Sequence, residues 1–178
     1  MKLTETPLKD CFVLEPKVFG DERGYFYESF NQRVFNEITR TNYLFVQDNH
    51  SLSARGVLRG LHFQKTKPQG KLVRVVAGEV YDVAVDIRKN SISYGKWFGI
   101  HLSAENKKQL WVPPGFAHGF VVLADSTQFL YKTTDYYAPN DEGCILWNDP
   151  SLKIDWHFSD QPKLSEKDKV GQLFSGLE

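Results

Sequence analysis

Residues 71–87 read KLVRVVAGEVYDVAVDI, two largely apolar runs joined through the glycine at position 78. In the second run, Asp82, Ala84 and Asp86 alternate with the aromatic and branched residues at positions 81, 83, 85 and 87. Alternation with a period of two indicates a β-strand, and a glycine between two such runs indicates a turn. This stretch therefore predicts two consecutive strands at the centre of a β-rich fold.

Lys71 opens the first of these runs and shares a face with Val73 and Val75, which predicts partly apolar surroundings for its ammonium group. Charged and apolar residues on both faces are typical of a barrel whose mouth is polar and binds a ligand. Ordinary solvent exposure is the alternative, and we expect it for Asp86 and Arg88.

Strand-like runs recur on both sides of this stretch, with glycines and prolines between them. The predicted strands are 11–19, 25–30, 44–49, 57–64, 72–77, 80–88, 97–102, 109–112, 119–123, 128–134 and 144–147. One helix is predicted at 31–40, where apolar residues have helical spacing. Many short strands and few short helices predict a mainly β fold, an antiparallel sandwich or jelly-roll barrel, with residues 1–178 as a single domain.

The charge balance is even, with 22 basic and 22 acidic residues, which argues against general binding to nucleic acid or to a membrane surface. No apolar run approaches the ~18 residues of a membrane-spanning helix, and the N-terminal residues lack a signal-peptide pattern. Cys11 and Cys144 have neither metal-ligand spacing nor the pattern of a disulfide framework. These features predict a soluble cytoplasmic protein.

Two motifs carry candidate chemistry: GVLRGLHFQ at 56–64 and PPGFAHG at 113–119. The second resembles the second motif of cupin barrels. In the first cupin motif, the position of an acidic metal ligand is occupied here by Lys71, and the His-x-His pair is reduced to His62. A lysine ammonium cannot bind a divalent metal, so we expect no metal. A cation at this point can instead stabilise an oxyanion.

Eight ordered blocks extend the resemblance over nearly the whole chain. They are 21–30, 47–53, 56–64, 69–88, 102–120, 131–139, 145–150 and 164–168. Together they resemble the dTDP-4-dehydrorhamnose 3,5-epimerase family, whose members have a cupin-type barrel. The resemblance implies a homodimeric isomerase that needs no cofactor. Its substrate would be a dTDP-4-keto-6-deoxy sugar, converted from dTDP-4-dehydro-6-deoxy-D-glucose to dTDP-4-dehydro-L-rhamnose by inversion at C3 and C5.

The resemblance implies that His62 is the base, and an imidazole titrates in the right range for this role. A lone histidine on a strand is more often a satisfied core residue, but the family match favours catalysis. Asp168 would orient the imidazole. Ser165 and Asp168 also have the spacing of a helix capping box, so a purely structural role for Asp168 is the alternative.

The resemblance implies that Lys71 stabilises the enolate oxygen. The alternative is that Lys71 is an ordinary surface lysine with no role in catalysis. Tyr131 is the implied acid, because a tyrosine with a pKa near ~10 can donate a proton to a basic enolate carbon. A tyrosine on a strand is otherwise most often a packing residue. His118 is expected to hydrogen-bond the sugar, or else to close the barrel mouth.

Further polar residues match family positions that bind the nucleotide or the sugar. They are Arg23, Glu28, Gln47, Asn49, Arg59, Tyr137, Glu142 and Lys167. Arginine forks suit diphosphate oxygens, and Tyr137 matches the position that stacks on thymine. Strict alternation puts Arg59 and His62 on opposite faces, a conflict that a β-bulge at Gly60 would remove. Family resemblance further implies that exchanged N-terminal strands carry Arg23 and Glu28 to the neighbouring site.

Four other functions are alternatives to this one. An epimerase that inverts only C3 or only C5, or that acts on another nucleotide sugar, would use the same chemistry. A ketoisomerase on this fold is not expected to share all eight blocks. A non-catalytic cupin that binds a nucleotide sugar has no need of an acid and a base together. A metal-dependent oxygenase lacks its metal ligands.

Overall fold

The computed structural model describes residues 1–177, which form 13 short strands and two short α-helices. The strands are β1 (Lys2–Glu5), β2 (Phe12–Glu15), β3 (Phe19–Asp21), β4 (Gly24–Phe26), β5 (Gln47–Ser53), β6 (Leu58–Gln64), β7 (Lys71–Ala77), β8 (Glu79–Asp86), β9 (Trp97–Ser103), β10 (Gln109–Val112), β11 (Phe116–Val122), β12 (Thr127–Thr133) and β13 (Glu142–Cys144). The helices are α1 (Gln32–Thr39) and α2 (Glu166–Lys169). Within residues 1–177, none of the helices combines the length and the apolar character needed to cross a membrane.

Two antiparallel sheets pack face to face. The larger sheet has the strand order β1-β2-β10-β7-β12-β5, and the smaller has the order β13-β6-β11-β8-β9. A shared core fills the space between them, with Val73, Val75 and Phe129 from the larger sheet against Val80 and Phe120 from the smaller. This arrangement confirms the predicted jelly-roll fold. The remaining strands, β3 and β4, form a separate hairpin.

The alternation in β8 directs its two faces into two different cores. Val80 and Ala84 belong to the core between the sheets, whereas Tyr81 and Val83 pack in a second core outside the smaller sheet. Residues after β13, including Trp156, cover this second core. Asp82 and Asp86, which lie at even positions like Ala84, are therefore carried inward and have no exposed surface.

The predicted exposure of Asp86 is wrong, and Arg88 is also partly enclosed. The carboxylate of Asp86 accepts hydrogen bonds from the Arg88 guanidinium, from Ser91 Oγ at 2.5 Å and from Ser93 Oγ at 2.6 Å. Burial raises the pKa of Asp86, but these hydrogen bonds outweigh it and hold the pKa below its ordinary value. A buried carboxylate is tolerated here because it is fully paired.

The helix α1 forms where the apolar spacing predicts it. Asn31 is its N-cap, and its side chain accepts a hydrogen bond from the backbone N–H of Val34 at 3.2 Å. The buried Phe35 packs edge-on against Trp111 of β10, with ring centroids 5.0 Å apart. The helix thus covers the outer face of the larger sheet and leaves the space between the sheets to the site residues.

The predicted irregularity near Gly60 is present in β6. In the pairing of β6 with β11, Arg59 lies opposite Phe120 and His62 lies opposite His118. Three steps along β6 therefore correspond to two steps along β11, so β6 has one extra residue between these two pairs. Gly60 has a φ of +133°, and a Cβ there would lie 2.5 Å from the Cα of Gly119. The extra residue changes the phase of the strand, which resolves the conflict between Arg59 and His62.

Candidate active site

The base candidate His62 contacts a buried carboxylate from a distant part of the chain. Its Nε2 lies 2.6 Å from Oδ1 of Asp168, and Asp168 is only 3% exposed. With the carboxylate as acceptor, Nε2 carries the proton and Nδ1 is the nitrogen that can take one. The pair has the geometry of a histidine that is oriented by a carboxylate for acid–base chemistry.

Ser165 is the N-cap of the helix α2 and Asp168 lies in its first turn, so Asp168 has a structural contact as well as its contact with His62. Ser165 Oγ accepts a hydrogen bond from the backbone N–H of Asp168 at 3.2 Å and donates one to its Oδ2 at 2.6 Å. Burial raises the pKa of Asp168, but the hydrogen bonds from His62, Ser165 and the Gly60 N–H lower it to about 2. The carboxylate is therefore charged at neutral pH.

A second histidine–carboxylate pair lies beside the first. His118 of β11 is the register partner of His62, and its Nε2 lies 3.0 Å from both carboxylate oxygens of Asp82. Both residues of this pair are buried. Sequence reasoning identified His118 but missed Asp82, whose only signal was its place in the alternating strand. The pairing of β8 with β11, which brings the two residues together, is not visible in the sequence.

Lys71 enters the site from the larger sheet. It lies in β7 on the same side as Val73 and Val75, which belong to the core between the sheets. Burial lowers the pKa of Lys71 to about 8, and the charges of Glu142 and Asp82 offset part of this effect. At neutral pH the side chain is thus a cation in poorly solvated surroundings, where its field acts strongly on a nearby oxyanion.

Tyr131 lies on the wall that faces the histidines. It belongs to β12 of the larger sheet and packs against the shared core, with Val73 and Asn49 as register partners. Burial raises its pKa, and the charge of Arg59 on the smaller sheet counteracts part of that rise. Tyr131 is therefore protonated at neutral pH. The base candidate and the acid candidate thus come from facing sheets.

Two amides of β5 extend the polar lining. Gln47 Nε2 donates a hydrogen bond to Asn49 Oδ1 at 3.0 Å, and Gln47 Oε1 accepts one from the backbone of Tyr137. Among the described residues, Asn49 Nδ2 is the one buried side-chain polar atom without a hydrogen-bond partner. An unpaired buried donor costs free energy, and a polar ligand would satisfy it.

Glu142 connects the rim of the site. The Tyr137 hydroxyl donates a hydrogen bond to Glu142 Oε2 at 2.8 Å, and the Lys167 ammonium forms an ion pair with the same oxygen. Burial raises the pKa of Glu142, but Lys167, Tyr137 and the charge of His62 lower it overall. The ring of Tyr137 remains half-exposed, as a stacking surface must be.

The arginine candidates separate into one residue in the site and one outside it. Arg59 Nη2 donates to Ser53 Oγ at 3.2 Å, and its charge reaches Tyr131. Arg23 lies in the β3–β4 hairpin, where it pairs with Asp21 and its side chain is 89% exposed. Glu28 is also exposed. Within one chain, the structure does not bring Arg23 and Glu28 to the other site residues.

The donors present do not fit a cupin-type metal centre. Lys71 occupies the position of an acidic ligand, and its ammonium has no free electron pair. A different cluster was missed by sequence spacing: Cys144 of β13, the register partner of His62, lies close to both His62 and Asp168.

Comparisons with known proteins match nearly the whole length of this chain. A family model described as dTDP-4-dehydrorhamnose 3,5-epimerase matches residues 5–176. The dTDP-4-dehydrorhamnose 3,5-epimerase of Pseudomonas aeruginosa is 60% identical over 175 residues, which cover 98% of this chain and 97% of that protein.

Solved structures of related proteins also match the fold of this chain. The crystal structure of dTDP-4-dehydrorhamnose 3,5-epimerase from Elizabethkingia anophelis has a TM-score of 0.95 and 54% identity, and the match covers 98% of this chain and 97% of that one. The Legionella pneumophila dTDP-6-deoxy-D-glucose-3,5-epimerase, in complex with dTDP-4-keto-L-rhamnose, has a TM-score of 0.96 and 50% identity, covering 99% and 94%. The family resemblance of the motifs is thus confirmed, and the chain belongs to the dTDP-4-dehydrorhamnose 3,5-epimerase family.

Proposed function

We propose that this protein converts dTDP-4-dehydro-6-deoxy-D-glucose to dTDP-4-dehydro-L-rhamnose by inverting C3 and C5, without a metal or a redox cofactor. One observation carries the proposal: a histidine paired with a carboxylate and a protonated tyrosine lie on facing sheets, and a partly buried lysine cation lies on the same sheet as the tyrosine. Inversion at carbon needs this disposition, because the proton leaves one face and returns to the other.

The chemistry depends on the C4 carbonyl of the substrate. Protons at C3 and C5 are alpha to this carbonyl, so their removal gives an enolate with negative charge on O4. A neutral-pH base removes such protons only when the enolate is stabilised. The site must therefore supply a base, a cation near O4 and an acid on the opposite face.

His62 takes the proton through Nδ1, and Asp168 stabilises the imidazolium that forms. Lys71 stabilises the developing charge on O4, where its low solvation increases the electrostatic effect. Tyr131 then donates its phenolic proton to the carbon from the other face. His118, held by Asp82, forms a hydrogen bond with the sugar through its free Nδ1 and so helps to position it.

The nucleotide occupies the rim of the barrel. Tyr137 stacks on thymine, and Arg59 binds a diphosphate oxygen through its guanidinium. Gln47, Asn49, Glu142 and Lys167 complete the binding of the nucleotide and the sugar. The unpaired Nδ2 of Asn49 supports this assignment, since it awaits an acceptor.

A homodimer completes the site. The hairpin that carries Arg23 exposes Phe19, Tyr25 and Phe26 at 54%, 62% and 72% of their surfaces, which supports burial against a second copy. Arg23 and Glu28 would then serve the neighbouring site. Residues 1–178 act as one domain, and the cytoplasm is the proposed location because both cysteines are free.

The test is proton NMR of dTDP-4-dehydro-6-deoxy-D-glucose in deuterated water with the purified protein. We expect deuterium at both C3 and C5, together with the signals of the inverted product. Exchange or inversion at only one carbon would show a mono-epimerase. Unchanged substrate that nevertheless binds would show a non-catalytic binding protein.

A further inference from the structure

Three potential metal ligands meet at the edge of the proposed site. One imidazole nitrogen of His62, the thiol of Cys144 and a carboxylate oxygen of Asp168 all lie within 4.8 Å of one another. They come from β6, β13 and the helix α2, and the β13–β6 pairing places Cys144 directly opposite His62. Nothing in the proposed epimerisation uses Cys144.

The surroundings of Cys144 disfavour its thiolate, which is the nucleophilic form of a cysteine. Burial raises the pKa of its thiol to about 11, so it is a neutral thiol at physiological pH. Its one hydrogen bond within the described residues is a long contact from Sγ to the Ile145 carbonyl, at 3.5 Å. The sulfur is therefore weakly held and can turn toward a ligand.

We propose that His62, Cys144 and Asp168 form an inhibitory site for zinc and similar thiophilic divalent ions. Nitrogen, thiolate sulfur and carboxylate oxygen are the donors that zinc prefers, and three protein ligands leave a fourth position for water. On binding, the metal displaces the thiol proton, which passes to solvent, and a sulfur–metal bond replaces the sulfur–hydrogen bond.

The cluster needs only small movements to bind the metal. Bonds of about 2.0–2.3 Å place the ligand atoms of a tetrahedral zinc ion about 3.2–3.8 Å apart. The contact between His62 Nε2 and Asp168 Oδ1, now 2.6 Å, must therefore lengthen slightly. The Cys144 sulfur, which lies within 4.8 Å of the other two ligand atoms, must move closer to them. Ser165 holds Asp168 through its other oxygen, so the carboxylate stays in place.

Metal binding would remove the base. A neutral imidazole that binds a metal through one nitrogen carries its proton on the other, so neither nitrogen can accept a proton from the sugar. The inhibitory part of this inference rests on the proposed role of His62 as base. The metal site itself rests only on the geometry of the three ligands.

The binding test uses cobalt(II), which replaces zinc and absorbs visible light. The full chain, freed of metal with a chelator and then titrated with cobalt(II), should show a thiolate-to-cobalt charge-transfer band at about one ion per chain. Cys144→Ser should lack this band. Cys11→Ala is the matched control, because Cys11 is the other free cysteine, lies fully buried in the core and is not one of the three clustered ligands. That variant should keep the band.

The activity test compares zinc inhibition of the wild type with that of Cys144→Ser at one substrate concentration. The substrate diphosphate also binds zinc, but this loss of free zinc is the same in the two assays because the substrate concentration is the same. We expect a chelator to restore the inhibited wild type. The variant should need at least roughly 10–100-fold more zinc for half-inhibition, since even indirect metal supports are worth that much.

The outcomes test the metal site and its inhibitory effect separately. Absence of the cobalt–thiolate band from the wild type, or equal zinc sensitivity in the wild type and Cys144→Ser, would overturn the metal site. A band that forms fully while zinc-saturated enzyme keeps its activity would uphold the metal site. It would also overturn inhibition, together with the role of His62 as base, so the two failures are distinguishable.

Discussion

At the scale of single residues, the opposite positions of His62 and Tyr131 allow their roles to be separated. His62→Ala should abolish both deuterium exchange and inversion at C3 and C5, because no enolate forms. Tyr131→Phe should still exchange, since His62 can return a deuteron to the face from which it took the proton. Proton NMR in deuterated water measures both properties together.

The corresponding control keeps the fold and removes a different tyrosine hydroxyl. Tyr94 packs against Phe174 at the second core, outside the proposed site, so Tyr94→Phe should exchange and invert at wild-type rates. Normal inversion by Tyr131→Phe would assign the acid to another residue or to water. Rapid exchange by His62→Ala would remove His62 as the base.

Lys71 should matter for turnover more than for binding. Lys71→Met should lower kcat by roughly 10²–10³, because its charge acts on the oxyanion that develops in the transition state. Loss of the poorly solvated charge should also raise the melting temperature. The control is Lys132→Met, because Lys132 lies on the same sheet but pairs with exposed Asp48. A raised KM with unchanged kcat would restrict Lys71 to binding.

The low pKa of Lys71 predicts an alkaline limit to activity. An amine is charged below its pKa and neutral above it, so kcat/KM should fall as the pH rises through about 8. The charges of Glu142 and Asp82 face Lys71 and oppose the lowering of its pKa, and Tyr131 stays protonated because burial raises its pKa. Lys71→Arg, if active, should lose this limb. A wild-type profile that is flat to pH 10 would contradict the assignment.

Residue identities near the site were largely predictable, whereas their partners were not. His62, Lys71 and Tyr131 follow from motifs, and the spacing of Ser165 and Asp168 indicated the cap. Asp82 and Cys144 were missed because their meaning depends on cross-strand register. Register is a property of paired strands, and a single sequence carries it only weakly.

At the scale of elements, the close contact between β6 and β11 at their glycines should tolerate no side chain. Gly60→Ala would put its Cβ 2.5 Å from the Gly119 backbone at a φ of +133°, so we expect destabilisation by about 2–4 kcal/mol. Gly176→Ala is the matched control, since a Cβ there meets nothing within 4 Å. Thermal unfolding of both variants measures the difference, and equal melting temperatures would contradict it.

Elements with strong periodicity were predicted to within a residue or two. β7, β8, β10, β12 and α1 all lie where alternation or helical spacing put them. β5 and β13 were misplaced by a few residues, because their side chains are mostly polar or small and show no clear apolar alternation. β1 was missed entirely, since it is an exposed edge strand that buries little.

At the scale of the whole molecule, mixed dimers can test whether Arg23 serves the neighbouring site. Neither Arg23→Ala nor His62→Ala alone should be fully active at low substrate. If Arg23 acts across the interface, a mixed dimer has one intact site. Equal amounts after subunit exchange should therefore recover about a quarter of the wild-type rate, by random pairing in a two-fold dimer.

The control mixture is His62→Ala with Lys71→Met, which should not recover activity because both residues belong to one barrel. Sedimentation should first show that the protein is dimeric. No recovery with Arg23→Ala, despite demonstrated exchange, would mean that Arg23 does not act on the neighbouring site.

The partnership of His62 with Asp168 spans 106 positions in the sequence. The strands of both large sheets are complete by Cys144, so the barrel can pack before the segment that carries Asp168 has docked. The proposed proton-abstracting pair is thus complete only when the last part of the chain has been made and has docked. A chain cut between Cys144 and Ser165 would keep every strand but lose the carboxylate partner of His62, so we expect such a fragment to leave the reactive ketosugar unchanged.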